Sequence, residues 1–107
     1  MAIGSDDSWM TPFIKYLKNG DLPEDKSEAR RIRLKAPKYV IHNDTLYRRG
    51  HLQPLLRCVS ASEVDYLIRE VHEGVRGSHQ GSRSIAKRLL RAGYYWPTMF
   101  EDTHAHV

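Results

Sequence analysis

The apolar residues near the start of the chain recur at helical spacing and predict two short helices. The apolar positions of the first are Phe13, Ile14 and Leu17, and those of the second are Ala29, Ile32 and Ala36. Thr11 is predicted to be the N-cap of the first helix, with its hydroxyl as the cap, Pro12 suits position N1, and Gly20 suits the end. The second helix is predicted to begin around Pro23 or Glu24 and to end before Pro37. We therefore predict an α-hairpin over residues 9–36, preceded by a polar, acidic and disordered segment, 1–8.

The apolar period then shortens to that of β-strands. Tyr39-Val-Ile41 and Thr45-Leu-Tyr47 flank Asn43-Asp44, which is typical of a tight hairpin turn. Residues 54–59 resemble a third strand, and a lone hairpin is only marginally stable in water. The sequence thus predicts a small antiparallel β-meander covered by a helix. Cys58 lies in the apolar run of the third strand, which favours a buried structural thiol over a reactive one.

Helical spacing returns after residue 59 and predicts three further helices. Ser60 and Glu63 match a capping box at the start of the third helix. Its apolar stripe is Val64, Leu67, Ile68 and Val71, and that of a fourth helix over 82–92 is Ile85, Ala86 and Leu89. Glycines make residues 74–81 a tight loop, and a fifth helix is predicted to start near Thr98. Together these elements predict an α+β fold that ends in a three-helix subdomain.

Composition narrows the classes of function. The 107 residues suffice for a modest core, and no apolar run approaches the length of a membrane span. One cysteine excludes an internal disulfide and fits a reducing compartment, and the start of the chain has no secretory signal pattern. No nucleophile–base motif, phosphate-binding glycine loop or paired-carboxylate motif is present, so we expect no enzymatic activity and no small-molecule substrate.

Charge is unevenly distributed and favours a nucleic-acid partner for the second part of the chain. Residues 1–28 carry three lysines and six acids, whereas residues 29–107 carry fourteen Lys and Arg against seven acids. The fourth helix contains no acid, and its four cations are Arg83, Lys87, Arg88 and Arg91. These cations are candidate phosphate ligands, or else they form a solvated helix face. The aromatic block Tyr94-Tyr95-Trp96 either stacks on bases or closes the core, and we favour the core.

Three motifs carry a resemblance to a known family: His72-Glu-Gly, Gly77-Ser-His79-Gln-Gly81 and Gly93-Tyr-Tyr-Trp-Pro-Thr-Met99. They resemble the N-terminal zinc-binding domain of retroelement integrases, in particular the Ty3/gypsy-type polyprotein of long-terminal-repeat retrotransposons. The likeness continues upstream through Leu46-Tyr-Arg-Arg-Gly50 and residues 54–59. In that family a His-His-Cys-Cys set binds zinc, and His72 and His79 match its two histidines.

The resemblance implies zinc in the complete domain, held by His72, His79 and a Cys pair that would follow Val107. A structural zinc site takes four ligands. With two of them in this chain, zinc binding is expected to be weak or lacking here. Cys58, His104 and His106 are the other candidates. Histidines at i and i+2 do not share a helical face, so we do not expect the last two to replace the cysteines.

The resulting hypothesis is a non-catalytic fragment of a retroelement integrase. Residues 9–59 would be its N-terminal extension, and residues 60–107 its zinc-binding helical subdomain, truncated before the Cys pair. It would assist element DNA binding and homo-oligomerisation of the integrase in the cytoplasm and nucleus, without membrane contact. Two alternatives remain: a domesticated protein-interaction module of the same fold without a zinc or DNA role, and a stand-alone DNA-binding domain of helix-turn-helix type.

Overall fold

The computed structural model describes residues 8–51, 54–74 and 82–106, with the side chains of 72–74, 82–83 and 105–106 left out. The described residues combine α-helices with one four-stranded β-sheet whose long strands are antiparallel, so the fold class is α+β, as predicted. The chain divides into two compact units, Met1–Cys58 and Val59–Val107. Within the described ranges no helix has the length and apolarity to span a bilayer. Most of the segment predicted to be disordered, residues 1–7, lies outside the description.

The first helix of the first unit, α1 (Thr11–Asn19), begins differently from the prediction. Its N-cap is Met10 and makes no side-chain cap, and the Thr11 hydroxyl is buried with no hydrogen-bond partner among the described residues. Ser8 accepts the hydrogen bonds that fix the start of the helix. Its side-chain oxygen accepts from the Met10 N–H at 3.1 Å, and its carbonyl accepts from the Thr11 N–H at 3.2 Å. The predicted end is confirmed, since Gly20 has φ 76° and its N–H donates to the Tyr16 carbonyl at 2.8 Å.

The second helix, α2 (Lys26–Lys35), starts slightly later than predicted because Asp25 supplies the cap. The Asp25 carboxylate accepts from the Glu28 N–H at 2.9 Å. A short 3-10 helix, Ala36–Lys38, follows and leads into the first strand. Ala29, Ile32 and Ala36 are buried, as their spacing predicts, although α2 is otherwise polar.

An aromatic cluster joins the helices of the first unit to its first strand. The ring centroids of Phe13 and Tyr39 lie 4.6 Å apart, and the Trp9 ring lies 5.9 Å from Tyr39 and 6.2 Å from Phe13. The Arg31 guanidinium lies over the Phe13 ring at 5.8 Å. Phe13 and Tyr39 are both buried, so this cluster forms much of the core of the unit.

The three strands of the first unit form an antiparallel meander. They are β1 (Tyr39–His42), β2 (Thr45–Arg49) and β3 (Leu55–Cys58). Asn43 and Asp44 both have positive φ, 51° and 61°, which is what a two-residue type I′ hairpin turn requires. The inner face of the meander is buried at Tyr39, Leu46, Leu56 and Cys58.

The second unit contains α3 (Ala61–Gly74), α4 (Ser82–Arg91), a two-residue strand β4 (Tyr94–Tyr95) and α5 (Met99–His106). Helix α4 contacts both α3 and α5. The Glu63 carboxylate accepts from the Ser60 N–H at 3.2 Å, which is the reverse bond of the predicted capping box. The buried residues of this unit are Val59, Val64, Ile68, Ile85, Ala86, Leu89, Trp96, Met99 and Thr103. Leu67, predicted to be in the core, is only half-buried, because Val64 and Ile68 take the inward positions.

A polar network precedes α5 and fixes its first turn. The Asp102 carboxylate accepts from the Trp96 indole N–H and from the Thr98 hydroxyl, each at 2.7 Å. The Met99 N–H donates to the Trp96 carbonyl at 3.2 Å, and the Val59 N–H donates to the Tyr95 carbonyl at 3.1 Å. The buried Trp96 ring therefore has its one polar group satisfied.

Candidate nucleic-acid interface

Helix α4 separates its apolar and basic residues onto opposite sides. Ile85, Ala86 and Leu89 are buried against the rest of the second unit, as predicted. The other side carries Ser84, Lys87, Arg88 and Arg91, all exposed, which we call the α4 stripe. These positions are spaced i, i+3, i+4 and i+7, so they lie on one face of the helix. The stripe extends about 10 Å along the helix axis at ~1.5 Å per residue.

The three cations of the α4 stripe repel one another. Lys87 and Arg91 are four residues apart, and a like-charge pair at that spacing destabilises a helix by ~0.2–0.5 kcal/mol. Helix α4 itself contains no acid. The buried side of the helix holds it in place despite this repulsion. A row of cations on a fixed helix face is able to contact successive phosphates of a nucleic acid.

Part of this charge also has a structural explanation. Arg88 and Arg91 lie in the last turn of α4, where cations interact favourably with the helix dipole. Lys87 lies before that last-turn pair, so the helix dipole does not account for its exposed charge. The side chain of Arg83, the fourth predicted cation, lies outside the described part of the structure.

Of the two predicted zinc ligands, the structure describes only the backbone of His72. His72 belongs to the last turn of α3, but its side chain is outside the description, as is the whole of His79. Among the side chains that the structure does describe, no group of three or more His, Cys, Asp or Glu is arranged to hold a metal ion. The proposed ligand set therefore remains a prediction of the resemblance.

Cys58, considered above as a substitute ligand, is buried at the end of β3. Burial raises the pKa of its thiol to about 12, against a smaller lowering by the charges of Arg48 and Arg57. At neutral pH this environment keeps the free Cys58 side chain in its thiol form. The predicted burial of Cys58 is confirmed. His104 is exposed on α5, and the side chain of His106 lies outside the described residues.

The aromatic block of the second unit divides between core and surface. Trp96 is buried and bonded to Asp102, as expected for a core residue. Tyr94 and Tyr95 are half-buried in β4. The block therefore closes the core through its tryptophan.

The outer face of the meander is a basic and aromatic surface that the sequence analysis did not identify. The residues of this outer sheet face are Val40, His42, Thr45, Tyr47, Arg49, Leu55 and Arg57. Each is half-buried or exposed, whereas Tyr39, Leu46, Leu56 and Cys58 of the inner face are buried. The alternation along β2 could have predicted this surface, because it places Tyr47 and Arg49 on one side of the sheet and Leu46 on the other.

Comparison of the chain with protein-family models, curated proteins and solved structures found no match.

Proposed function

We propose that the chain is a non-catalytic, DNA-binding part of a retroelement integrase of the Ty3/gypsy type. Residues 9–59 would form its N-terminal extension, with an α-hairpin and a β-meander, and residues 60–107 its zinc-binding helical subdomain. It would help the integrase bind element DNA and assemble as a homo-oligomer, in the cytoplasm and nucleus. The support is the order of the histidine and Gly-Tyr-Tyr-Trp-Pro motifs, together with the geometry of α4.

One observation carries the DNA-binding part of this proposal: the α4 stripe is exposed while the opposite side of the same helix is buried. A helix anchored in this way presents its cations in a fixed row. Contacts from such a row to phosphates give an affinity that depends on salt and only weakly on sequence. The stripe is therefore suited to hold duplex DNA in register rather than to select a base sequence.

Charge reversal of α4 tests the proposal. Changing Arg83, Lys87 and Arg88 together to Glu should remove most duplex binding and reduce the salt slope of log K by about 2–3. Fluorescence anisotropy of a labelled duplex across a salt series measures both quantities. Arg30→Glu, Arg33→Glu and Lys35→Glu together are a matched control, since all three residues are exposed on the polar helix α2 and the net charge changes equally. Duplex binding that survives the α4 change unaltered would exclude this helix as the contact surface.

Zinc is tested separately from DNA. We propose that His72 and His79 are two of the four ligands of the complete integrase domain, and that this chain holds zinc weakly. Elemental analysis of the purified chain should then give much less than one zinc per molecule after dialysis. His79→Ala should leave the melting temperature unchanged, because structural zinc stabilises only when its ligand set is complete. One tightly bound zinc per chain, lost in His79→Ala, would contradict the weak binding and require further ligands within residues 1–107.

A protein-interaction role is the second candidate, and two exposed aromatic residues favour it. Tyr66 on α3 is 60% exposed and Phe100 on α5 is 48% exposed. Aromatic side chains are enriched at protein interfaces. Tyr66→Ser with Phe100→Ser should weaken self-association in sedimentation velocity if these rings are used. Retention of self-association in that double variant would remove the support for this candidate.

A further inference from the structure

The outer sheet face has the composition of a surface that binds unpaired bases. The strand register places Tyr47 of the central strand β2 directly between Val40 of β1 and Arg57 of β3. Directly opposed residues share a face of the sheet, with neighbouring strands about 4.8 Å apart. The His42 ring lies beside Tyr47, with centroids 6.4 Å apart and an interplanar angle of 61°. Tyr47 is thus flanked by an apolar, an imidazole and a guanidinium side chain.

Charge on this face has one sign. Arg49 follows Tyr47 by two residues along β2 and is exposed, and its register partner on β3 is Leu55. The one acid within residues 39–58 is Asp44 in the hairpin turn, where its carboxylate accepts from the Lys18 ammonium at 3.1 Å. The seven positions of the outer sheet face therefore contain two arginines and a histidine and no carboxylate. Such a face is complementary to an anionic partner.

We propose that the outer sheet face binds single-stranded nucleic acid, with one base stacked on Tyr47 and phosphates held by Arg49 and Arg57. A half-buried aromatic ring on a sheet offers its face to a base, and single-strand binding proteins combine such rings with basic grooves. Bases of a duplex are already stacked on one another, and a sheet face that spans β1, β2 and β3 is wider than the single helix or two-stranded ribbon that the major groove admits. This occupant differs from the duplex proposed for α4, and its surface lies in the other unit.

The test uses the full chain and a labelled oligothymidylate of about ten nucleotides in fluorescence anisotropy. Tyr47→Ala should raise Kd about fivefold or more, whereas Tyr47→Phe, which keeps the ring, should bind as the parent does. Arg49→Ala should reduce the salt slope of log K by about 0.7, the value for one phosphate of a single strand. Arg30→Ala is the matched control for Arg49→Ala, since Arg30 is exposed on the polar helix α2, outside this face.

The two nucleic-acid surfaces are distinguished by crossing the variants. Tyr47→Ala should leave duplex binding unchanged, and the triple α4 charge reversal should leave oligothymidylate binding largely intact. An oligouridylate of equal length separates RNA from DNA, and tighter binding of either one by a Tyr47-dependent mode supports the proposal.

Equal losses in Tyr47→Ala and Tyr47→Phe would overturn the stacking contact. Competition by an acidic peptide as strong as that by the oligonucleotide would overturn nucleic acid as the partner. A melting curve of Tyr47→Leu, which keeps apolar bulk, identifies any loss caused by a weakened sheet. If Tyr47→Leu folds as the parent does and still binds as tightly, the proposal fails.

Discussion

The two units of the molecule are built with different kinds of contact. In the first unit each helix buries little: α1 buries Phe13, and α2 buries Ala29 and Ile32. Its core depends on the ring cluster of Trp9, Phe13 and Tyr39 and on the inner face of the meander. In the second unit the helices bury aliphatic stripes, most clearly on α4. The core of the first unit therefore depends on a few large aromatic rings, whereas the core of the second unit depends on aliphatic residues at helical spacing.

Both units contain exposed ion pairs, but helix α4 has no acid of its own. In the first unit Lys18 pairs with Asp44 at 3.1 Å and Arg31 with Glu28 at 2.7 Å, and in the second unit Arg69 pairs with Asp65 on α3 at 2.7 Å. The hydrogen bond from Arg31 lowers the pKa of the exposed Glu28 carboxyl, and the same bond raises the pKa of Arg31. Exposed pairs of this kind stabilise a fold little. Helix α4 contains no acid, and Lys87 and Arg88 are exposed on the side opposite its buried residues, which is why we propose that this face contacts phosphates.

The largest effect is expected where the second unit depends on aliphatic packing. Leu89→Ala should lower the free energy of unfolding by about 2–5 kcal/mol, because Leu89 is buried and the truncation leaves a cavity. Urea denaturation followed by the fluorescence of Trp96, in a Trp9→Phe background, measures the effect in the second unit.

Two other leucines calibrate this measurement. Leu34 on α2 is 66% exposed, so Leu34→Ala should change the stability by less than about 0.5 kcal/mol. Leu67 on α3 is half-buried, and Leu67→Ala should fall between the other two. If Leu67→Ala proved as costly as Leu89→Ala, the assignment of the inward face of α3 would be wrong.

A medium effect is expected at the polar network of Trp96, Thr98 and Asp102. Asp102→Ala removes the acceptor of the buried Trp96 indole N–H and should cost about 1–3 kcal/mol. Asp102→Asn keeps a carbonyl oxygen that accepts the same bond and should recover part of that loss. Thermal unfolding monitored by Trp96 emission compares the three proteins. Unchanged stability of Asp102→Ala would mean that water replaces the carboxylate at the indole.

The comparison also explains what the sequence could predict. Helix α4 and its buried residues Ile85, Ala86 and Leu89 were predictable because a single period decides both the element and its inward face. The hairpin turn was predictable because Asn43-Asp44 suits the two positive φ values. In each case a local signal agrees with the packing that the fold requires.

Other features depend on contacts that a single stretch of sequence does not contain. Leu67 and Ile68 both fit the helical stripe of α3, and only packing decides that Ile68 is the buried one. Tyr47, Arg49 and Arg57 of the candidate outer sheet face come together through strand register, which joins positions on separate strands. The side chains of His72 and His79 lie outside the described residues, so their predicted roles stay predictions.

The smallest effects should separate two residues at helix starts of the first unit. Asp25→Ala should cost about 1 kcal/mol, since the Asp25 carboxylate accepts the Glu28 N–H at 2.9 Å. Thr11 resembles a cap in sequence, but its hydroxyl is buried without a hydrogen-bond partner among the described residues. Thr11→Val keeps the shape of the side chain and removes the unsatisfied group, so it should be neutral or stabilising by up to about 1 kcal/mol.

The signs of these two changes matter more than their sizes. If Thr11 capped α1 in solution, Thr11→Val would destabilise the unit about as much as Asp25→Ala does. Urea denaturation followed by Trp9 emission, in a Trp96→Phe background, measures both variants in the unit that contains them. Ser8→Ala provides the matched control, because the Ser8 hydroxyl accepts from the Met10 N–H at 3.1 Å and so holds the start of α1. A loss in Ser8→Ala with no loss in Thr11→Val would show that the turn before the helix, and not its first threonine, sets where α1 begins.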